Sequence, residues 1–306
     1  MNKNFEAFLN NMEDTLNIFS VICITETWCN SNEANSNSNF FLPGFTIISL
    51  ERKTKKRGGG IFIYIKENVQ FIKRLDLTVS DDDKEVLTIE ILTQKNKNIL
   101  LSCCYRPPSG VIKHFNTFLN DVIFKKSNRE KKLNYLIGDF NLDCLQYHVK
   151  HKIKEFYNDL FKNGAFPLIT KPTRITESTT SIIDNIITND IFNQSLKKGI
   201  IKSDITDHFP IFFSINTDIK VIINKNNSFS KRIYSKTNLA TFNDQLSMLH
   251  WQHINHSQGA NVAYSNFYKT FYDIYDANFP KIEINQKIKK ITSPLDNQWI
   301  EKIFQN

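Results

Sequence analysis

Apolar residues at Phe5, Phe8, Leu9, Met12 and Leu16 recur at the spacing of a single helical face and predict an amphipathic helix at the start of the chain. The run from Phe19 to Thr25 predicts a strand directly after it. Residues 31–39, SNEANSNSN, have nothing to bury and read as a surface loop. Short apolar runs rich in Ile, Phe, Val and Leu then predict strands at 45–50, 60–65, 85–92, 98–105, 133–138, 182–188 and 211–216. Helical spacing returns at Phe115, Phe118, Leu119 and Val122, and again at Ile153, Phe156, Leu160 and Phe161. Helices interspersed among many strands predict a layered α/β domain over residues 1–216. Beyond it, the polar and basic KNNSFSKR falls in an expected linker, 217–236. The period then changes: Phe242, Leu246 and Leu249, followed by Ala263, Phe267, Phe271 and Ile274 ahead of Pro280, predict a helical segment over 237–306.

Composition narrows the class. Of 306 residues 41% are hydrophobic and 12% aromatic, so the chain can bury a core and is not a disordered tail. No apolar run approaches the length of a membrane span, and MNKNFEAFLNNMED is too charged for a signal peptide, so a soluble, non-secreted protein of the nucleus or cytoplasm is expected. A net charge of +8 favours a polyanionic partner without identifying one. The five cysteines lack the spacing of a disulfide framework or a zinc site, and Cys23, Cys103 and Cys104 lie in apolar runs as small buried hydrophobes.

Chemistry enters where acidic and amide residues meet the ends of apolar strands. VICITETW places Glu26 after one strand, NYLIGDFNLD places Asp139 and Asn141 after another, SIIDNIIT puts Asp184 in a third, and SDITDHFPIFF sets Asp207 and His208 before a fourth. Each alone reads equally as a turn, a cap or a strand-end solvent contact. Together, carboxylates at such depth must be paired or bound to a cation, and oxygen donors suit Mg²⁺ or Mn²⁺. ERKTKKRGGG offers Arg52, Lys53, Lys55, Lys56 and Arg57 as a surface for tracking phosphates, the bland alternative being a solvated hairpin tip. Arg106 is grouped with them as a DNA contact, whereas KKSNREKK at 125–132 reads as an exposed connection. The glycines precede the β-patterned IFIYIK and do not open a helix, so no nucleotide or other small-molecule cofactor is expected.

The series CITETWC, RGGGIFIYIK, CCYRPPSG, LIGDFNLD, TKPTRIT, STTSIIDNIIT and SDITDHFPIF, spread over about residues 5 to 216, resembles the endonuclease/exonuclease/phosphatase superfamily. It is most similar to the endonuclease domain at the front of non-LTR (LINE-like) retrotransposon polyproteins, and SKTNLATFNDQL with SPLDNQWIEKI resembles the connector ahead of their reverse transcriptase, a domain absent from this chain. The resemblance implies a four-layer sandwich of two mixed sheets flanked by helices, with DNA as substrate and Mg²⁺ as cofactor. It implies that Glu26 binds the metal, Asp139 acts as general base, and Asn141 helps hold water and phosphate. His208 would bind the scissile phosphate, Asp184 would orient His208, Asp207 would complete the acidic metal environment, and Tyr105 would contact the phosphate. Ser203 and Asp204 would support the last motif. The family's first strand, ending in an asparagine, is expected to be missing, since the chain starts at Met1 on the first helix. Two functions follow: a Mg²⁺-dependent DNA endonuclease, or a truncated, catalytically weak or inactive remnant that at most binds nucleic acid. A phosphodiesterase for lipids or small molecules is a lesser competitor.

Overall fold

Every position of Ile61–Lys66 except the last is buried, as is every position of Glu85–Ile91 and Ile99–Tyr105. Unbroken buried runs of this length demand strands covered on both faces. The computed structural model describes residues 18–28, 40, 42–52, 58–203, 205–221, 228–232, 234–255 and 257–285. The helix expected over Phe5 to Leu16, the loop at 31–39, and the residues Lys53, Lys55, Lys56, Arg57 and Asp204 lie outside the described residues.

Strands β1 (Val21–Thr25), β2 (Phe45–Leu50) and β3 (Ile61–Lys66) form an antiparallel sheet in the order β1-β3-β2. The chain continues through β4 (Phe71–Lys73), β5 (Val79–Ser80), β6 (Glu85–Ile91), β7 (Ile99–Tyr105), β8 (Leu133–Asp139) and β9 (Phe166–Pro167). A hairpin of β10 (Arg174–Ile175) and β11 (Thr180–Ser181) precedes β12 (Asp184–Thr188), and β13 (Lys197–Ile200) pairs with β14 (Ile211–Ser214). Among the described residues the larger sheet runs β4-β6-β7-β8-β12-β9, with β5 on β6; β7 and β8 are parallel and their neighbours antiparallel. It is mixed, as expected, whereas the described strands of the smaller sheet are antiparallel throughout.

The period of two along each strand sorts the side chains into layers. Ile61, Ile63 and Ile65 face the larger sheet and pack with Leu87, Ile89, Leu101, Cys103 and Tyr135. Phe62 and Tyr64 point the other way, into a cluster with Phe40, Leu42 and Phe45. On the far side of the larger sheet, Val86, Leu100, Cys104 and Leu136 meet the helices α1 (Ile112–Phe118) and α3 (His151–Lys162) through Phe115, Phe156 and Leu160, with α2 (Lys125–Glu130) between them along the chain. The fold is the expected α/β sandwich, sheets face to face with helices outside. A π-helical turn, Leu119–Phe124, joins α1 to α2. The KKSNREKK run is therefore mostly helix and not a plain connection, supported by the Lys126–Glu130 pair one turn apart.

The chain divides into two compact units, Met1–Ile223 and Asn224–Asn306. Ile219 and Val221, expected in a linker, bridge Thr93 and Val69 and so extend the first unit's sheet edge. In the second unit, β15 (Ser228–Arg232) pairs with β16 (Lys281–Asn285) beside the helices α4 (Lys236–Ser247), α5 (Gln252–Asn255) and α6 (Ala260–Asn278). Two strands thus stand in segments expected to be linker and helix. Ser235 caps α4, its hydroxyl accepting from the Asn238 N–H at 3.0 Å.

Candidate active site

Register brings the chemistry together. Parallel pairing sets Tyr105 opposite Asp139, and antiparallel pairing sets Asp184 opposite Asp139, so the three lie in one row across β7, β8 and β12 at a single end of the sheet. His208 reaches this row from another segment, its Nδ1 standing 3.0 Å from each carboxylate oxygen of Asp184. One ligand atom each from Asp139, Asp184 and His208 lies within 4.8 Å of the others. Glu26 arrives from the other sheet, just past β1, in a left-handed conformation with φ 55°, and its carboxylate accepts a hydrogen bond from the Tyr105 hydroxyl.

The turn after β8 is built for Asp139. Asn141 adopts φ 48°, which asparagine tolerates better than most residues, and its backbone N–H donates to Asp139 Oδ1 at 2.8 Å. Its side-chain nitrogen donates to Asp139 Oδ2 at 2.9 Å and to the Arg106 carbonyl at 3.0 Å. Both amide hydrogens are thereby used, so Asn141 positions Asp139 and has only its carbonyl oxygen left to receive water. Arg106, expected to touch DNA, is only 3% exposed. Its guanidinium donates to the carbonyls of Phe140 (2.8 Å), Gly110 (2.6 Å) and Asn141 (2.8 Å). It is a strut under the catalytic turn, and burial lowers its pKa from the ordinary arginine value. Arg106→Met should therefore cost roughly 3 kcal/mol in urea unfolding, because three carbonyls, those of Phe140 and Gly110 in buried contacts, lose a charged donor.

A second support stands on the other side. Arg52, also expected at the DNA, has a side chain only 8% exposed, with its Nε donating to Glu85 Oε1 at 2.5 Å and its guanidinium 5.6 Å from the centre of the Tyr105 ring. Glu85, fully buried, also accepts from the Gly60 N–H at 2.7 Å. A side chain at Gly59 would place its Cβ 2.4 Å from both Arg52 Nε and Glu85 Oε1, so this glycine leaves room for the internal pair. Sequence reasoning missed Glu85. The available signal was a carboxylate opening the apolar strand EVLTIEI, since such a group must find a partner.

Electrostatics separates the carboxylates. Burial first, then the charge of Asp184, pushes the Asp139 carboxyl up to about 7, against the Asn141 N–H and the His208 cation. Burial works against a charged His208, but the hydrogen bond and charge of Asp184, helped by Asp139 and Asp207, outweigh it and raise its pKa. Burial, then the neighbouring Glu26 carboxylate, keeps the Tyr105 phenol well above its ordinary value, so it stays a donor. Asp207 departs from its expected place at the metal. Its carboxylate pairs with Arg174 Nε at 2.7 Å, outside the cluster, and partial burial is outweighed by that bond, leaving its pKa below the ordinary value. Arg174 was also missed. Ser203 takes a local part, its hydroxyl accepting from the Ile205 N–H at 3.4 Å.

The model of the Endonuclease/Exonuclease/phosphatase family matches residues 3–208, ending on the histidine of this site. The chain belongs to this family. Among solved structures, the endonuclease domain of TRAS1, a telomere-specific non-LTR retrotransposon, is similar with a TM-score of 0.52 at 14% identity over 70% of this chain and 91% of that one. The AP endonuclease LMAP from Leishmania major gives 0.56 at 14% identity over 68% and 81%, and the APE2 catalytic domain from Xenopus laevis 0.51 at 12% over 72% and 90%. At such identities these likenesses speak for the fold alone. A search of the curated proteins finds no match. Among the described residues no helix is long and apolar enough to cross a membrane.

Enzymes of the Endonuclease/Exonuclease/phosphatase family cleave phosphoesters with a divalent metal, and this donor set fits one. Asp139 and Asp184 are neighbouring carboxylates, and after burial the charge of Asp184 is the largest influence raising the Asp139 pKa, so a cation between such groups would relieve their repulsion. Their oxygens, with Glu26 nearby, are the ligands a hard cation prefers.

Proposed function

We propose that the chain is a Mg²⁺-dependent DNA endonuclease of the non-LTR retrotransposon kind, nicking target DNA by hydrolysis of a phosphodiester. The observation carrying this reading is the Asp184–His208 pair set beside Asp139, a carboxyl that titrates near neutrality. A phosphodiester repels hydroxide, so hydrolysis needs a base for water and positive charge on the phosphoryl oxygens. Asp139, held through both oxygens by Asn141, removes the proton from water. Its pKa of about 7 makes it a stronger base than an ordinary carboxylate while leaving a large ionised fraction at working pH. His208, held protonated by Asp184, donates from Nε2 to a phosphoryl oxygen as negative charge grows there. Tyr105 fixes the Glu26 carboxylate at the facing edge. When bound, Mg²⁺ would be held by Glu26 beside the base Asp139 and would supply Lewis-acid stabilisation of the phosphate.

Purified chain should nick supercoiled plasmid with Mg²⁺ and not with EDTA, and His208→Ala should slow nicking about 10²–10⁴-fold. Folded wild-type protein whose nicking does not exceed that of His208→Ala would remove the reading and leave the inactive-remnant alternative.

A further inference from the structure

TKPTRIT forms a device that the proposed chemistry does not use. Arg174 and His208 are partners in an antiparallel bridge. Residues directly opposite in such a pair start their side chains on the same face, which sets Arg174 across from the histidine that would meet the scissile phosphate, and the Asp207 carboxylate that holds the guanidinium is itself close enough to His208 to raise its pKa. The backbone around them is zipped: the Phe209 N–H donates to the Thr173 carbonyl at 2.7 Å, and the Ile175 N–H to the Asp207 carbonyl at 3.3 Å. The Thr173 hydroxyl in turn accepts from the Asp184 N–H at 3.1 Å, tying this strand to the residue that orients His208.

The side chain is aimed as well as placed. Asp207 takes only the Nε–H of Arg174, at 2.7 Å, while the side chain is 40% exposed. Among the described residues no other side chain or carbonyl hydrogen-bonds to the guanidinium. Its two terminal nitrogens keep their N–H groups in a fixed plane, the fork that matches two oxygens of a phosphate. An exposed ion pair of this kind adds little to stability, so its value as an internal brace is small.

We propose that Arg174 is a DNA-positioning residue, held by Asp207 beside His208 to grip the backbone phosphate next to the scissile one. The inference rests on the nuclease reading and adds the residue that would fix the strand's register in the site. Asp207 then acts through Arg174 and not as a metal ligand.

The test measures binding apart from turnover. Fluorescence anisotropy of a short DNA duplex in EDTA, over a series of salt concentrations, compares wild type, Arg174→Gln and Arg174→Lys, with melting curves run alongside. Arg174→Gln should weaken binding roughly tenfold, as expected for loss of a charged hydrogen-bonded contact, and lower the slope of log K against log salt by about 1. Arg174→Lys should keep the slope and recover only part of the affinity, because its point charge lacks the fork. Nicking with Mg²⁺ should fall for Arg174→Gln at low DNA and recover at saturating DNA. An unchanged slope and affinity in Arg174→Gln, with wild type binding and nicking normally, overturns the assignment and leaves the nuclease reading intact. A loss of nicking that saturating DNA does not restore overturns it in favour of a brace for His208. Wild type that neither binds nor nicks DNA removes both readings.

Discussion

Asp139→Asn should nearly abolish cleavage and at the same time stabilise the metal-free protein at pH 8. The loss follows from its proposed place as base: a general base contributes about 10²–10⁴-fold, and an amide cannot accept the proton. The gain follows from linkage. Asp139 is 6% exposed and its carboxyl is raised from 3.8 to about 7 in the folded state. A raised acid holds its proton more tightly folded than unfolded, so its favourable contribution is present at low pH. That contribution is lost as the pH climbs from the unfolded value near 4 through about 7, and above that window the buried charge burdens the native state. The shift corresponds to roughly 4 kcal/mol at most, and some of it is surrendered because the new amide nitrogen faces the Asn141 side-chain nitrogen. The checks are nicking rates with Mg²⁺ and melting curves in EDTA. The variant should melt above wild type at pH 8 and lose that advantage at pH 4. Equal melting of the two proteins at pH 8 would show that Asp139 is not carrying a strained charge.

Gly138→Ala should cost at least about 3 kcal/mol, enough to leave little folded protein. Gly138 has φ 147°, and a Cβ there would lie 1.9 Å from the Cys104 carbonyl oxygen and 2.9 Å from its carbon. Those atoms belong to β7, the neighbour paired in parallel with β8 at that position, and both strands are interior to the sheet. Neither can withdraw without breaking the ladder that aligns Tyr105 with Asp139. Gly164→Ala supplies the contrast. It also has positive φ, 67°, but nothing lies within 4 Å of its Cβ position, so only the left-handed backbone cost of about 1 kcal/mol applies. Urea unfolding of the two variants separates steric contact from backbone strain, and similar midpoints would discard the close-contact argument.

Phe45–Leu50, Glu85–Ile91 and Ile99–Tyr105 were legible because their segments are rich in apolar and β-branched residues. Phe45–Leu50 coincides with its expected span, and Glu85–Ile91 and Ile99–Tyr105 differ from theirs by one residue at an end. Glu26, Asp139, Asn141, Asp184 and His208 were legible as candidates because polar groups at the ends of buried strands need a reason to be there. The strands at Ser228–Arg232 and Lys281–Asn285 escaped because each is short and only its distant partner makes it a strand.

The sequence by itself determined which segments bury, through hydrophobic periodicity, and which acidic residues stand where those segments end. Tertiary structure decided which charges meet. Arg52 finds Glu85 and Arg174 finds Asp207, each 33 residues along the chain, while Arg106 turns inward to the carbonyls of the catalytic turn. Local pattern reports how much apolar surface a residue brings, and that is enough to form strands. The partner of a charge is set by which strand ends register brings side by side, and at this site it gave Arg52 and Arg106, expected at the DNA, internal partners and paired Asp207 with Arg174 outside the cluster of Asp139, Asp184 and His208.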